Sequence, residues 1–443
     1  MLLVHKSSPI RWGRFREAGQ IPLSRQKQVR HRGCVNARPM NAAHSQTDKL
    51  KVLIVIDSLL PGGAERSLLS ILPGLAERQI EPKLVCLKRV PVNLENRAIE
   101  LGYPPHYLLD GEVGGKWYFT LPYWIRRLRQ CVREERPALV HSTLFQASLT
   151  SRLGLMGTRV PHLSSVVNMD YSPERNQDPN IKGGSYLSAL KLGAILSLNR
   201  LTTGLVTRFH AVTPAIKAET TRHLGVPPEK ISVVFRGRKR PKQIPEERRK
   251  AVRKSLGIAP ETKVLLNVGR QEYQKGQLYL LRALAEEPLR DQDIKLLVAG
   301  RQGAISAELE EEIQRLNLGE KVHLLGHRDD IPELLAASDA FILPSLFEGA
   351  AGALLEAMSA RVPMIVSALP ELKGLVDERC ALTVPTRSPK SIAIATARLL
   401  DDQALSATLT EEGLRIFNDN FLLEQIVAEM AMLYRETAKY QAP

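Results

Sequence analysis

The sequence predicts an α/β protein made of two doubly wound, Rossmann-like domains that face each other across a cleft. Short apolar runs rich in β-branched residues recur along the chain, and a stretch with helical spacing of its apolar residues follows most of them. This alternation is typical of βαβ units in a parallel sheet. It stops once, in a charged and proline-bearing stretch near Phe235, and then starts again. We therefore expect one sheet on each side of that stretch.

Size and composition limit the class of protein. A chain of 443 residues is long enough for two domains, each with its own core. Its four cysteines have no paired spacing, which indicates a reducing compartment with neither a disulfide framework nor a cysteine metal site. The chain has no uninterrupted apolar run of about 18 residues, so we expect no transmembrane span. These features predict a cytoplasmic protein.

About half of the net charge of +15 lies at the start of the chain. Residues 1–48 hold nine lysines and arginines against Glu17 and Asp48, with no sustained period and without the apolar core of a secretory signal. We expect a disordered basic tail, and Met40 is a second candidate initiator, which leaves open whether residues 1–39 are translated. Aromatic residues are not interleaved with the basic ones, so we expect no nucleic-acid partner.

The first domain is predicted for residues 49–236. Its first strand, residues 51–57, runs into a loop with Gly62 and Gly63, and apolar residues then recur at helical spacing over 65–76. A strand, a glycine loop and a helix form the first unit of a doubly wound sheet, whose ligand crevice lies at that loop. Further strands are predicted at residues 83–87, 138–142, 162–166 and 209–212.

Two stretches of this domain leave a choice between packing and membrane contact. Residues 117–136 combine aromatic side chains with Arg126, Arg127, Arg129 and Arg133. Such a helix either lies on an anionic membrane surface or packs its aromatic side chains inward, and we favour inward packing. Residues 186–206 are sparsely charged and predict a packed or an interfacial helix.

The second domain is predicted for residues 237–420. Its strands are expected in residues 262–270, 293–301, 321–326 and 340–345, with helices from Gln277, from Ser306 and over residues 331–338. Residues 421–443 form a separate final element. A helix over 422–438 carries Ile426, Met430 and Leu433 on one face, and we expect it to pack back toward the first domain.

Two cations follow the first strand of the second domain. Arg270 ends this strand, and Lys275 lies five residues later, next to Gly276 and just before a helix. At the carboxyl end of a parallel strand, an arginine that binds bidentately and a lysine that acts as a point charge can clamp a diphosphate. The alternative is an ordinary polar loop between a strand and a helix.

Two glutamates follow the apolar run over residues 340–345. Glu348 lies in a glycine-flanked loop, and Glu356 lies in the first turns of the helix after it. Loop amides and a helix N-terminus attract phosphate, whereas carboxylates are suited to hydroxyl groups. Together with the two cations at the same sheet edge, this pattern favours a nucleotide sugar as ligand. A solvated helix face is the alternative for the two acids.

These motifs, in this order, resemble the family 4 retaining glycosyltransferases of the GT-B fold. The resemblance rests on GGAER, VGRQEYQKG, the VAGR strand, LLGHRDDIPELLAASDAFILPSLFEG and LLEAM, and it extends from Lys51 to the end of the chain. It implies that Arg270 and Lys275 hold the donor diphosphate and that Glu348 touches the transferred sugar. The implied donor-binding set also includes Gly62, Gly63, Gly269, Gly300, Gly349, Ala350, Ala351, Gly352 and Glu356, the last on the ribose.

The acceptor side departs from the family pattern. LVHSTLFQAS has His141 but Thr143 where a second histidine is common, and SSVVNMD has Val167 where the family often has histidine. Residues 235–239, FRGRK, replace a common N-G-[IV]-D stretch. His141 and Thr143 are therefore the candidate residues on the acceptor side.

The resemblance implies a hexosyl-type transferase with Arg270, Lys275 and Glu348 as catalytic residues. It would move a sugar from a nucleotide diphosphate sugar to a glycan or lipid-linked acceptor at the inner face of a membrane, in bacterial surface polysaccharide synthesis. We expect no metal and no other cofactor. A phosphorylase or epimerase of the same fold, and a nucleotide-sugar-binding protein that has lost transfer, remain the alternatives. The nucleotide base, the sugar, the acceptor, the linkage and the oligomeric state stay open.

Overall fold

The computed structural model describes residues 49–110, 117–168, 189–349 and 351–440. The predicted basic tail lies outside these residues. The described chain contains a sheet of seven strands followed by a sheet of six, and every strand pair in both sheets is parallel. The predicted pair of doubly wound α/β domains is therefore confirmed.

The first sheet is built from the N-terminal half of the chain. Its strands are β1 (Leu50–Ile56), β2 (Ile80–Lys88), β3 (His106–Leu109), β4 (Leu139–Thr143), β5 (His162–Val166), β6 (Arg208–Ala211) and β7 (Ile231–Val233), in the order β3-β2-β1-β4-β5-β6-β7. Its helices are α1 (Gly63–Glu77), α2 (Glu95–Glu100), α3 (Trp117–Glu135), α4 (Phe145–Gly154), α5 (Ala189–Thr202) and α6 (Pro214–Leu224). The short strands β3 and β7 were not predicted.

The second sheet repeats this plan. Its strands are β8 (Lys263–Val268), β9 (Ile294–Ala299), β10 (Val322–Gly326), β11 (Ala340–Leu343), β12 (Met364–Ser367) and β13 (Leu382–Val384), in the order β10-β9-β8-β11-β12-β13. Its helices are α7 (Glu246–Ser255), α8 (Gln277–Leu284), α9 (Ser306–Arg315), α10 (Ile331–Ala337), α11 (Gly352–Ser359), α12 (Pro389–Asp401) and α13 (Gln403–Asn420). Helices α8 and α9 begin at the predicted residues. The charged linker is shorter than its composition indicated, because helix α7 begins within it.

Strand β1 shows why these apolar runs form the centre of the fold. Residues Val52 to Ile56 are at most 1% exposed. Val52, Ile54 and Ile56 pack into one core cluster, and Leu53 and Val55 pack into another on the opposite face. Strands covered by helices on both faces need such continuous apolar runs.

The final helix, α14 (Leu423–Ala438), packs against α1 of the first sheet. Ile426, Met430 and Leu433 are buried in the same cluster as Val52 and Ile54 of β1. The chain thus leaves the second sheet after α13 and returns to the first.

A buried chain of hydrogen bonds ties α14 to three strands. The carbonyl of Val234 can only accept, so Nε2 of His210 donates to it over 2.8 Å, and Nδ1 of His210 accepts from Ser165 Oγ over 2.7 Å. Ser165 in turn accepts from Nε2 of His141 over 2.6 Å. Nδ1 of His141 is left to accept from the Tyr434 hydroxyl at 2.8 Å. With both histidines neutral, each ring nitrogen and hydroxyl group of this hydrogen-bond network has a partner.

Burial keeps these histidines neutral. It lowers the pKa of His141 to about 3, with a smaller contribution from neighbouring His210, and lowers the pKa of His210 to about 4. Both values lie below the ordinary 6.5. The folded network therefore does not take up protons that the unfolded chain binds between pH 6.5 and about 4.

Helix α3 divides its aromatic residues between the core and the surface. Trp124 is fully buried with Leu128, as inward packing predicted, whereas Phe119 is 77% exposed and Tyr123 is 45% exposed. Within the described parts of the chain, no helix is both long enough and apolar enough to cross a membrane.

We expect Tyr434→Phe to destabilise the first domain. The substitution removes the donor to Nδ1 of His141 and leaves a buried nitrogen unsatisfied, which costs about 1–3 kcal/mol. Urea unfolding followed by tryptophan fluorescence tests this, because the second domain contains no tryptophan. Tyr440→Phe is the control, since Tyr440 is 52% exposed. Equal unfolding free energies for the two variants would contradict the network.

We expect His210→Gln to reduce the pH dependence of stability. A folded pKa below the unfolded value makes the free energy of unfolding fall as the pH falls below 6.5, by about 1.4 kcal/mol per pH unit for each such histidine. Asp57, whose pKa burial raises to about 7, acts in the opposite direction, so the difference between variants is the informative quantity. The difference in unfolding free energy between about pH 7.5 and about pH 5.5 should shrink by about 1.4 kcal/mol in His210→Gln. This difference should not change in His106→Gln, which alters an exposed residue. The same pH dependence of the unfolding free energy in wild type and His210→Gln would show that His210 is not kept neutral by burial.

Candidate active site

The candidate site lies where the carboxyl edges of the two sheets face each other. In each sheet the strand order reverses beside a central strand, at β1/β4 and at β8/β11. Ligands of open α/β sheets bind at such reversals. Contacts join the two edges: Arg301 donates to the carbonyl of Pro61, and Gly349 lies against the carbonyl of Val167. Most of the predicted donor-binding residues lie on the loops after β1, β8, β9 and β11, and Glu356 lies in α11.

Lys275 and Glu348 form the central contact of the second domain's edge. Lys275 Nζ lies 2.7 Å from Glu348 Oε1, and Ser345 Oγ donates to the same oxygen over 2.6 Å. The Glu348 side chain is 5% exposed and that of Lys275 is 18% exposed. A carboxylate this buried needs a cation and hydrogen bonds, and both are present. The structure thus brings these two predicted residues together.

Glycines make this close approach feasible. Gly276 has a φ of +66°, and a Cβ there would lie 1.9 Å from the carbonyl oxygen of Pro344. A Cβ on Gly300 would lie 1.8 Å from the carbonyl oxygen of Gly269. A Cβ on Gly269 would lie 3.3 Å from Cδ of Lys275. A side chain at Gly276 or Gly300 would collide with backbone atoms, so both positions require glycine.

Arg270 occupies a more open position. Its side chain is 52% exposed and lies 3.4 Å from Glu272 Oε1. Its charge still acts on Glu65 of α1, whose pKa it lowers in opposition to the dominant effect of burial. Arg270 therefore faces the cleft from the second domain without contacting the Lys275–Glu348 pair.

The loop before α11 joins the site through its backbone. Ala351 has a φ of +34°, and α11 begins at Gly352. Glu356 projects from this helix and accepts from Arg238 Nε over 2.8 Å. Glu348 and Glu356 thus lie on the same edge, but each carboxylate has its own cation. Ala350 lies outside the described residues.

The glycine loop of the first domain faces this edge. Gly62 precedes α1 and Gly63 is its first residue; a Cβ on Gly62 would lie 2.4 Å from Glu65 Oε2. The Glu65 side chain folds over the start of its own helix and is 7% exposed. Burial raises the pKa of this carboxyl group, while Arg236, Arg270 and Arg301 act against that rise. The loop thus presents glycines and one buried acid toward the cations.

The residues predicted for the acceptor side lie at the end of β4. His141 is 2% exposed, and both its ring nitrogens are used in the buried chain to Tyr434 and Ser165. Thr143 is 4% exposed and lines a small cavity with His141 and Arg236. Neither side chain contacts the Lys275–Glu348 pair.

The structure adds residues that the sequence analysis did not select. Arg236 and Arg238 come from residues 235–239, which join the two sheets and which we interpreted as a linker and as a departure from a family motif. Glu65 lies inside the GGAER motif, three residues after Gly62. Its place in that motif was the only feature of the sequence that could have indicated a role in the site. Asp57 directly follows β1 and accepts from the backbone N–H of Ala147, in the first turn of α4, over 2.6 Å.

Two family models match the chain. The model described as Glycosyltransferase Family 4 matches residues 61–238, and the model described as Glycosyl transferases group 1 matches residues 248–415. The first covers most of the seven-stranded half, and the second covers most of the six-stranded half.

Curated relatives share the glycosyltransferase description. The chain is 30% identical over 238 residues to the lipopolysaccharide core biosynthesis mannosyltransferase LpsB of Rhizobium meliloti. This alignment covers 52% of this chain and 66% of LpsB. The chain is 35% identical over 191 residues to the UDP-Gal:alpha-D-GlcNAc-diphosphoundecaprenol alpha-1,3-galactosyltransferase of Escherichia coli, covering 42% of this chain and 49% of that protein. The chain thus spans less than two thirds of the length of these relatives.

A solved structure shares the whole two-sheet plan. HepE of Anabaena, crystallised with UDP and glucose, superposes with a TM-score of 0.73 and 20% identity over 87% of this chain and 99% of HepE. At this identity the likeness establishes the fold. The two family models together match most of the chain and show that it belongs to glycosyltransferase family 4, and the likeness to HepE shows the GT-B fold.

Proposed function

We propose that this protein is a retaining glycosyltransferase that takes a sugar from a nucleotide diphosphate sugar. The observation that carries the proposal is the Lys275–Glu348 pair, buried at the strand-order reversal of the second sheet, with Glu356 on the next helix. A lysine for the diphosphate, a buried acid for the sugar and a second acid for the ribose match the chemistry of such a donor. The printed title of the HepE structure, with UDP and glucose bound, supports the same donor class.

In the proposed reaction the bond between the anomeric carbon and the leaving phosphate oxygen breaks. The acceptor hydroxyl oxygen bonds to the same face of that carbon, and its proton passes to the leaving phosphate. Negative charge grows on the diphosphate in this step. Arg270, Lys275 and the amides between Gly349 and Gly352 would stabilise that charge, which is where fixed donors and cations contribute most to rate. Retention of configuration follows from attack on the same face.

We propose a lipid-linked or membrane-proximal glycan as acceptor, in surface polysaccharide synthesis on the cytoplasmic side. LpsB acts in lipopolysaccharide core biosynthesis by its name, and the Escherichia coli relative is named for a diphosphoundecaprenol acceptor. Free thiols at Cys86, Cys131 and Cys380 support a reducing compartment.

Helix α3 supplies a surface that fits a membrane. Phe119, Tyr123, Arg126 and Arg133 follow one another at helical spacing, and all four are exposed. Exposed aromatic and basic side chains on one helix face suit an anionic lipid surface. Arg129 has a different task, because its guanidinium donates to the carbonyls of Leu153 and Gly154 at the end of α4. The membrane proposal therefore rests on Arg126 and Arg133 and not on Arg129.

We expect Lys275→Ala and Glu348→Gln to abolish turnover. Release of UDP or GDP from a panel of nucleotide sugars, with lipid-linked glycan extracts as acceptors, should fall by about 100-fold or more in each variant, because charge stabilisation in the transition state is lost. Lys250→Ala, at an exposed lysine of α7, should retain full activity. Tight donor binding by the wild type with no release under any acceptor would support the binding-protein alternative.

We expect Phe119→Ser combined with Arg126→Ser to weaken binding to vesicles that contain anionic phospholipid. Loss of one inserted aromatic side chain and one cation should lower the partition coefficient by about tenfold or more. Met432→Ser combined with Arg222→Ser is the control, because it makes the same change of charge at exposed residues of α14 and α6. The basic tail contributes equally to both proteins. Equal sedimentation of the two double variants with these vesicles would overturn the membrane proposal.

A further inference from the structure

The segment that joins the two sheets carries a cation into the candidate site. Arg238 is fixed by its backbone, since its N–H donates to Phe421 and its carbonyl accepts from Leu423, each over 2.9 Å. These residues mark the point where the chain crosses back to the first domain before α14. Arg238 therefore lies where the segment that leaves the first domain meets the segment that returns to it, and its side chain can reach either domain.

The guanidinium of Arg238 bridges the cleft. Nε donates to Glu356 Oε1 over 2.8 Å, and Nη1 donates to Ser67 Oγ of α1 over 3.3 Å. Nη2 lies so close to Gly352 that a Cβ there would be 2.1 Å away. The side chain is only 19% exposed. It thus occupies the space between the ribose-binding candidate Glu356 and the first residue of α11.

The surroundings of Arg238 carry an excess of positive charge. The cleft-facing cations are Arg236, Arg238, Arg270, Lys275 and Arg301, and the carboxylates near them are Glu65, Glu272, Glu348 and Glu356. Arg236 shows the effect: burial first, and the charge of Arg238 second, lower its pKa to about 10. Five cations against four acids at a half-buried edge leave a net positive charge that a bound anion would balance.

Room for a ligand adjoins the same side chain. A cavity of about 510 Å³ is lined by Arg238 and Glu356 together with Arg66, Arg328 and Ile331. Its volume is within the range of small-molecule sites. The guanidinium stands at the wall of this cavity, so a ligand that entered it would meet Arg238 and Glu356 at once.

We propose that Arg238 is a donor-binding residue: it releases Glu356 to the ribose of the incoming nucleotide and binds the diphosphate beside α11. The proposal rests on the proposed function, because it adds a contact to the same donor. Glu356 exchanges a guanidinium for hydroxyl groups, and Arg238 exchanges a carboxylate for phosphate. Each charged group thus has a partner before and after binding, and the planar guanidinium can bind two phosphate oxygens at once.

The test is calorimetric binding of UDP, GDP and the corresponding monophosphates to the full chain. Arg238→Ala should weaken binding of the diphosphate that the wild type prefers by about 10–100-fold, and should weaken the monophosphate less. Arg238→Lys should lose part of this affinity, since it keeps the charge without the two-pronged geometry, and it serves if the alanine variant does not fold. Arg398→Ala is the matched control, because Arg398 is exposed on α12 and does not line this cavity.

The outcomes separate the two proposals. If Arg238→Ala binds the diphosphate as tightly as the wild type or more tightly, while Lys275→Ala loses affinity, Arg238 only occupies Glu356 and this inference is wrong while the proposed function stands. If the wild type binds neither diphosphate, the donor assignment and this inference fail together. An equal loss for monophosphate and diphosphate would make Arg238 a structural residue and would also overturn the inference.

Discussion

The buried ion pair between Lys275 and Glu348 is the interaction on which the candidate site depends. A carboxylate that is 5% exposed is stable only with a cation and hydrogen bonds around it. Meeting that need holds the loop after β8 against the loop after β11, with glycines at Gly276 and Gly300 to allow the approach. The pair therefore fixes the shape of the edge at which a donor would bind. It also keeps a lysine charge inside the cleft, where few water molecules compete for it.

The fold and the second domain's edge were largely predictable from the sequence. Parallel strands covered on both faces need continuous apolar runs, and such runs are easy to find, as in residues 51–57. Lys275 and Glu348 were also predictable, because the carboxyl ends of parallel strands meet at one edge whatever their separation in sequence. Short edge strands such as β3 and β7 were missed, since three or four residues carry too little periodicity to distinguish them from loops.

The role of residues 235–239 was not predictable, for a physical reason. Arg238 pairs with Glu356 and with the backbone at Phe421 and Leu423, far along the chain. No local pattern encodes contacts at that separation, so composition alone indicated a linker. His141 is similar: the sequence placed it on a strand near the cleft, but only the fold shows that Tyr434 and Ser165 use both its nitrogens. The roles of Arg270, Lys275, Glu348 and Glu356 in binding stay predictions.

The most direct measurement of the central claim is a crystal structure of the full chain with UDP or GDP bound. We expect the diphosphate between the two sheets, with phosphate oxygens within hydrogen-bond distance of Lys275 Nζ and of the amides at the start of α11, and the ribose hydroxyls on Glu356. A nucleotide bound away from this edge, with the Lys275–Glu348 pair facing solvent alone, would contradict it.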